Sequence, residues 1–184
     1  QRGVFYTPQP VVSYIVRRVH EILQTEFGLV DGLADTATWG WMAERHPGLT
    51  MPTGIRPTDR FVTILDPATG TATFLVEVID VIYRTLLRKW QAAGHSPKKC
   101  KELWNAYVPE HLLPRLYGYE LLMAPYAIAH LKIGLKLTET GYAFGTPAIA
   151  RVFLTNALEP ASERKLAGLG LMALAQEAEA VSTV

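Results

Sequence analysis

Two carboxylates and a run of small residues are the parts of this sequence whose types and spacing could do chemistry. Asp66 follows a short apolar run, Phe61-Val62-Thr63-Ile64-Leu65, and precedes Pro67, Ala68, Thr69, Gly70, Thr71 and Ala72. Phe74 then opens a pattern with helical spacing. A strand that ends in an acid, turns through small side chains and enters a helix makes a pocket for a polar small molecule. Ligand atoms can approach the backbone there, and the first helical turn offers unpaired N–H groups. The second carboxylate, Glu120, closes the run Leu112-Leu-Pro-Arg-Leu-Tyr-Gly-Tyr119, read as a strand. An acid at the end of the second strand of an α/β unit accepts two hydrogen bonds at once, which suits the hydroxyls of a ribose. Glu120 lies 54 residues beyond Asp66, where dinucleotide-binding units use about 20. A helix expected over Pro97–Tyr107 accounts for the excess.

The loop excludes two commoner phosphate binders. Gly70 is its one glycine, so it is not G-x-G-x-x-G, and no Gly-Lys-Ser/Thr follows to make a Walker loop.

The elements that position these residues follow from periodicity. Val11, Val12, Ile15, Val16, Val19, Ile22 and Leu23 recur at helical spacing, with Thr7 as the expected N-cap and Pro8 as the first helical residue. Phe74, Leu75, Val78, Ile79, Ile82, Leu86 and Leu87 give one helix face to about Trp90, ended by Gly94. Tyr126 to Leu137 forms another helix, with Pro125 at its start and Gly141 past its end. Arg151 to Asn156 reads as the third strand, and the alanine-rich tail as a helix from about Leu169. Residues 31–60 show no clear period and are expected to be an irregular insertion, with a turn of helix near Trp41–Arg45. Trp39 and Trp41 are expected to anchor that insertion to the core rather than to stack on bases.

A chain of 184 residues with 49% apolar content and a formal charge of +1 is expected to be one soluble domain. One cysteine, Cys100, excludes an internal disulfide framework and fits a reducing cytoplasm. No signal peptide and no 18-residue apolar run is present, so no membrane association is expected. The chain reads as a piece of something longer.

Asp66-Pro67-Ala68-Thr69-Gly70-Thr71-Ala72-Thr73-Phe74-Leu75 resembles motif I of the amino-methylating DNA methyltransferases, Asp-Pro-Ala-Cys-Gly-Ser-Gly-x-Phe-Leu. Ala72 stands where that family has its second glycine. Phe5-Tyr6-Thr7-Pro8 resembles motif X, which in the family closes over the methionine moiety of S-adenosylmethionine. Glu120-Leu121 corresponds to motif II, and Asn156-Ala157 falls where motif III places an acid that accepts the adenine amino group of the cofactor. An asparagine carbonyl can accept that bond without charge. The stretches Tyr117–His130 and Arg151–Pro160 look particularly like the adenine-methylating part of the large single-polypeptide Type ISP restriction–modification enzymes.

The resemblance implies a partial Rossmann-like α/β fold of three parallel strands with flanking helices and an N-terminal helix. It implies S-adenosylmethionine as cofactor, held by Tyr6, Thr7, Pro8, Asp66, Ala68, Thr69, Gly70, Thr71, Phe74, Glu120, Leu121, Asn156 and Ala157. It implies methyl transfer to the N6 amino group of adenine in double-stranded DNA, with no metal. The family's catalytic motif, Asn/Asp-Pro-Pro-Tyr/Phe, occurs nowhere in the 184 residues, and motif order places it just beyond Val184. The piece is therefore expected to be the cofactor-binding portion, without catalytic residues of its own. Two other readings share these residues: a methyltransferase for a protein glutamine or an RNA base, and a noncatalytic scaffold that keeps the fold. In the implied fold the first strand lies between the second and a fourth, so here it is expected at an open apolar edge. Self-association or the terminal helices would hide that edge.

Overall fold

The computed structural model describes residues 6–145 and 150–157. Three short parallel strands form its sheet: β1 (Ile64–Asp66), β2 (Leu116–Glu120) and β3 (Arg151–Leu154), in the order β1-β2-β3. The register pairs Asp66 with Gly118, and Glu120 with Leu154. Parallel neighbours require crossover connections, and helices supply them. Helix α3 (Thr73–Ala92) and helix α4 (Pro97–Tyr107) lie between β1 and β2, and helix α5 (Met123–Glu139) lies between β2 and β3. An N-terminal helix, α1 (Gln9–Thr25), packs against α3, giving the expected partial Rossmann-like α/β arrangement. Among the described residues, no helix is long and apolar enough to cross a membrane.

One core joins the helices to a single face of the sheet. Val12 and Val16 of α1, Leu75, Val78, Ile79 and Ile82 of α3, and Ala129 and Ile133 of α5 bury together with Leu116 and Val152. Strand residues alternate between faces, so Tyr117, Tyr119 and Phe153 form a separate aromatic cluster on the other side. Trp104 of α4 is fully buried; its indole N–H donates to Thr140 Oγ1. Cys100 is buried, and the predicted boundaries of α4 hold, with Ser96 capping Lys99 N. Gly94 and Gly141 follow α3 and α5 in left-handed conformation, with φ of 81° and 83°.

Several boundaries differ from the periodicity reading. Pro8, not Thr7, occupies the N-cap of α1, and no side chain caps it. Pro10 also lies in the first turn, where a missing N–H costs nothing, so α1 begins at Gln9 without a hydroxyl cap. β1 omits Phe61, Val62 and Thr63; Phe61 instead packs edge-on against Trp39 and donates its N–H to the Ala37 carbonyl. Residues 112–115 are not strand. A π turn over Val108–Leu112 runs into a 3₁₀ turn over Leu113–Arg115, where Pro114 has no N–H to give a ladder. β3 ends at Leu154, two residues short of Asn156. The tail expected to be helical from Leu169 lies outside the described residues.

The insertion over 31–60 carries more order than its sequence advertises. It holds a 3₁₀ turn at Gly32–Ala34 and helix α2 (Trp39–Arg45), capped by Thr38 Oγ1. Its anchor is Arg115, which is buried and donates to the carbonyls of Leu33 and His111 and to the Tyr107 hydroxyl. Tyr107 in turn donates to the Ala34 carbonyl. Arg60 adds bonds to the Thr36 carbonyl and His111 Nδ1. Trp39 packs on Phe61 as an anchor, whereas Trp41 is exposed under the Arg45 guanidinium. Among the described residues β1 pairs with β2 alone, which leaves it at the sheet edge as expected. Leu65 is 42% exposed, and an apolar groove runs between β1 and α1, lined by Ile15, Val19, Val62, Leu65 and Phe74.

Candidate functional site

The carboxyl ends of β1 and β2 lie side by side, and the β1–α3 loop folds across them. Asp66 closes β1, and its Oδ1 accepts the Ala68 N–H at 3.1 Å, a tight local turn that starts the loop. Thr69 then crosses to β2: its N–H donates to the Tyr119 carbonyl at 2.9 Å, extending the ladder beyond the strand end. Its hydroxyl donates back to the Asp66 carbonyl at 2.9 Å. Thr69 is buried over Gly118, where an added Cβ would sit 2.4 Å from Thr69 Oγ1. Glycine at 118 is thus a space requirement of the loop above it.

Glu120 sits half-buried at the tip of β2. Its Oε2 accepts the Gly70 N–H and its Oε1 the Leu122 N–H, both at 2.8 Å. Asp66 and Glu120, 54 residues apart in sequence, therefore meet in one cradle floored by Ala68, Thr69 and Gly70. Burial pushes the Asp66 carboxyl above its ordinary range; the Ala68 amide opposes this, and the charge of Glu120 adds to it. Asp66 Oδ2 is buried with no hydrogen-bond partner. An unpaired buried carboxylate oxygen is costly and marks a place where a cationic or N–H-bearing group would be welcomed.

Ala72 takes the left-handed conformation, φ 62° and ψ 31°, the one non-glycine with positive φ among the described residues. That is the backbone geometry the family's second glycine would adopt freely. The Ala72 methyl is fully buried in the main core, so it does not enter the cradle. As N-cap of α3, Ala72 offers no side-chain oxygen, which leaves the first amides of the helix without a side-chain cap.

The other predicted residues divide. Thr71 and Phe74 belong to the loop and the helix start, Phe74 also lining the α1 groove. Leu121 follows Glu120 and is exposed. Thr155 N–H donates to the Glu120 carbonyl, so Asn156 and Ala157 emerge just past the tip of β3, on the same side as Asp66 and Glu120. Tyr6, Thr7 and Pro8 are exposed. Gln9 Nε2 donates to Glu77 of α3, which brings this segment to the loop's end of the sheet, but among the described residues no side chain of the three bonds the loop.

Two contributors were missed by sequence reasoning. Lys132 of α5 reaches Thr71 Oγ1 at 3.4 Å and Thr73 Oγ1 at 3.3 Å, placing a cation beside the loop. Gly118 carries the loop's weight. Neither has a local signal, because each acts on a segment about fifty to sixty residues away, as the Gly118–Thr69 contact and the Lys132 bonds show. His130, assigned no role from sequence, bonds the Val152 carbonyl and packs on Tyr126, which is structural.

No family model matches the chain, and no curated protein matches it. Solved structures do share its fold. The Type ISP restriction–modification enzyme LlaBIII bound to DNA aligns with a TM-score of 0.60 and 23% identity, over 99% of this chain and 10% of that one. A nuclease-deletion mutant of the Type ISP enzyme LlaGI, with a DNA substrate mimic, aligns at 0.57 and 22% over 98% and 12%. A DrdV–DNA complex aligns at 0.56 and 24% over 98% and 13%. The chain thus spans about a tenth of the length of the much larger proteins whose fold it shares.

Proposed function

We propose that this chain is the S-adenosylmethionine-binding portion of a DNA adenine N6-methyltransferase belonging to a restriction–modification system. The observation that carries the proposal is the meeting of Asp66 and Glu120 across a small-residue loop at adjacent strand tips. The residues fit the cofactor chemically. Glu120 keeps acceptor capacity for ribose hydroxyls beyond its two backbone bonds. The unpaired Oδ2 of Asp66 suits a cationic donor such as the ammonium of the methionine moiety. Asn156 follows Thr155, whose N–H donates to the Glu120 carbonyl, and its amide oxygen is the acceptor we assign to the adenine amino group. Bound S-adenosylmethionine would supply an electrophilic methyl group; the chain's own residues bind and orient it.

The amine-holding motif Asn/Asp-Pro-Pro-Tyr/Phe does not occur in the 184 residues, and the proposal for this chain is cofactor binding rather than methyl transfer itself. The large DNA-bound proteins sharing this fold support the restriction–modification context, and with it a cytoplasmic setting and double-stranded DNA as the eventual partner. Calorimetric titration with S-adenosylmethionine tests the proposal. One-site binding that Asp66→Ala abolishes is expected. A folded chain that gives no heat would turn the reading toward a noncatalytic scaffold. The apolar edge at β1 adds a second expectation, self-association of the isolated chain. Light scattering should show a dimer that Leu65→Lys returns to monomer.

A further inference from the structure

The Glu120 carboxylate is already engaged by the protein before any ligand is considered. Oε2 holds the Gly70 amide and Oε1 holds the Leu122 amide, each at 2.8 Å. Gly70 is the glycine of the β1–α3 loop, with φ 55°, while Leu122 precedes α5. One side chain therefore ties the loop above β1 to the turn after β2. The neighbouring bond from Thr69 N–H to the Tyr119 carbonyl fixes the loop one residue earlier.

We propose that Glu120 is a positioning residue, which sets the loop in its binding shape through Gly70 in the absence of ligand. A carboxylate has about four lone-pair sites. Two serve the backbone amides, and two remain for a ligand that brings paired hydroxyl groups. The ligand half of this statement rests on the function proposed above; the loop half does not. The arrangement is specific to an acid. Both backbone partners are donors, so an isosteric glutamine would turn its NH₂ toward one of them, and a donor facing a donor makes no bond. Space-filling alone would be preserved by that substitution; the latch would not.

Amide hydrogen exchange of the ligand-free 184-residue chain, resolved by residue, reads the latch directly. Wild-type protein is expected to protect Gly70 and Leu122. Glu120→Gln is expected to accelerate exchange at one or both by about tenfold or more, the factor a lost charge-assisted bond corresponds to. Glu120→Ala is expected to release both, while the Thr69 amide stays protected in each variant by Tyr119. The same proteins are titrated with S-adenosylmethionine to read the ligand half separately; because Glu120 is also the proposed ribose contact, the latch itself is decided by exchange in the ligand-free chain. A wild-type titration without heat, alongside faster exchange in the variants, removes the proposed cofactor and leaves the latch supported. Unchanged exchange at Gly70 and Leu122 in folded Glu120→Gln overturns the latch, and that near-isosteric variant decides the matter even where Glu120→Ala does not fold.

Discussion

The two ends of the sheet solve the same problem with opposite materials. At the amino end, the 31–60 insertion is fixed by large side chains: buried Arg115, Tyr107, Arg60 and the Trp39–Phe61 pair. At the carboxyl end, the β1–α3 loop is fixed by backbone amides, one threonine and one carboxylate laid over a glycine. Large groups fill the first end. Small ones hold the second and leave Asp66 Oδ2 unpaired. Neither end is saturated, since Arg115 Nη1 is also buried without a partner. The difference is in the spare group, a donor enclosed among large side chains at one end and a carboxylate oxygen beside a small-residue loop at the other.

The largest expected effect breaks the amino end. Arg115→Ala deletes a buried cation bonded to Leu33, His111 and Tyr107. The cost is expected to be about 3 kcal/mol, from stranded buried acceptors. Urea denaturation measures it, and ligand affinity of the remaining folded protein should be unchanged. Gly118→Ala attacks the other end: its Cβ would meet Thr69 Oγ1 and Leu75 Cδ1. Overpacking of this kind costs about 2 kcal/mol. Unlike Arg115→Ala, it should also weaken ligand binding in the titration, because the loop must shift.

Acid should move the two ends in opposite directions. Burial and the nearby Arg60 hold His111 below its ordinary value. Its folded form is therefore neutral, accepts from Arg60, and loses stability as pH falls through the histidine range, about 6.5. Asp66 is raised, so its ionised form is penalised in the folded state at neutral pH. That penalty disappears as pH falls through the raised value. Hydrogen exchange between about pH 7.5 and 5.5 should show the Phe61 amide, which donates to the Ala37 carbonyl beside the Arg60–Thr36 bond, losing protection, an effect His111→Gln flattens, while Gly70 holds. The smallest effect sharpens the contrast. Ala72→Gly relieves a left-handed alanine worth about 1–2 kcal/mol. It forfeits a buried methyl of about 0.8 kcal/mol and adds chain entropy to the unfolded state. A net change within about 1 kcal/mol is expected from thermal unfolding.

The carboxyl end was the more legible of the two in sequence. Asp66, the small-residue loop, Glu120 and the strand order follow from local pattern and resemblance, because an acid closing an apolar run and a stretch of small residues are visible in the chain even where the bonds they make, such as Glu120 to Gly70, are long-range. The strand starts were not legible. Phe61 and Val62 look like strand by composition, yet Phe61 is claimed by Trp39, more than twenty residues earlier in the chain. Leu112 and Leu113 look like strand too, but Pro114 and the demands of Arg115 coil them into turns. Order in the insertion was hidden for the same reason: its anchor, Arg115, lies far along the chain and gives no periodic signal.

Helix α4 has a consequence for how such proteins are found. It enters the chain after α3 has run back to the amino side of the sheet, and it leaves before β2 begins. Extra length grafted there widens the gap between the two acids without moving either. A search template with a fixed interval would pass over this chain, while the bond between Gly70 and Glu120 keeps an ordinary length of 2.8 Å. Length variation of this kind should be read as silent at the far end of the sheet and telling only at the near one.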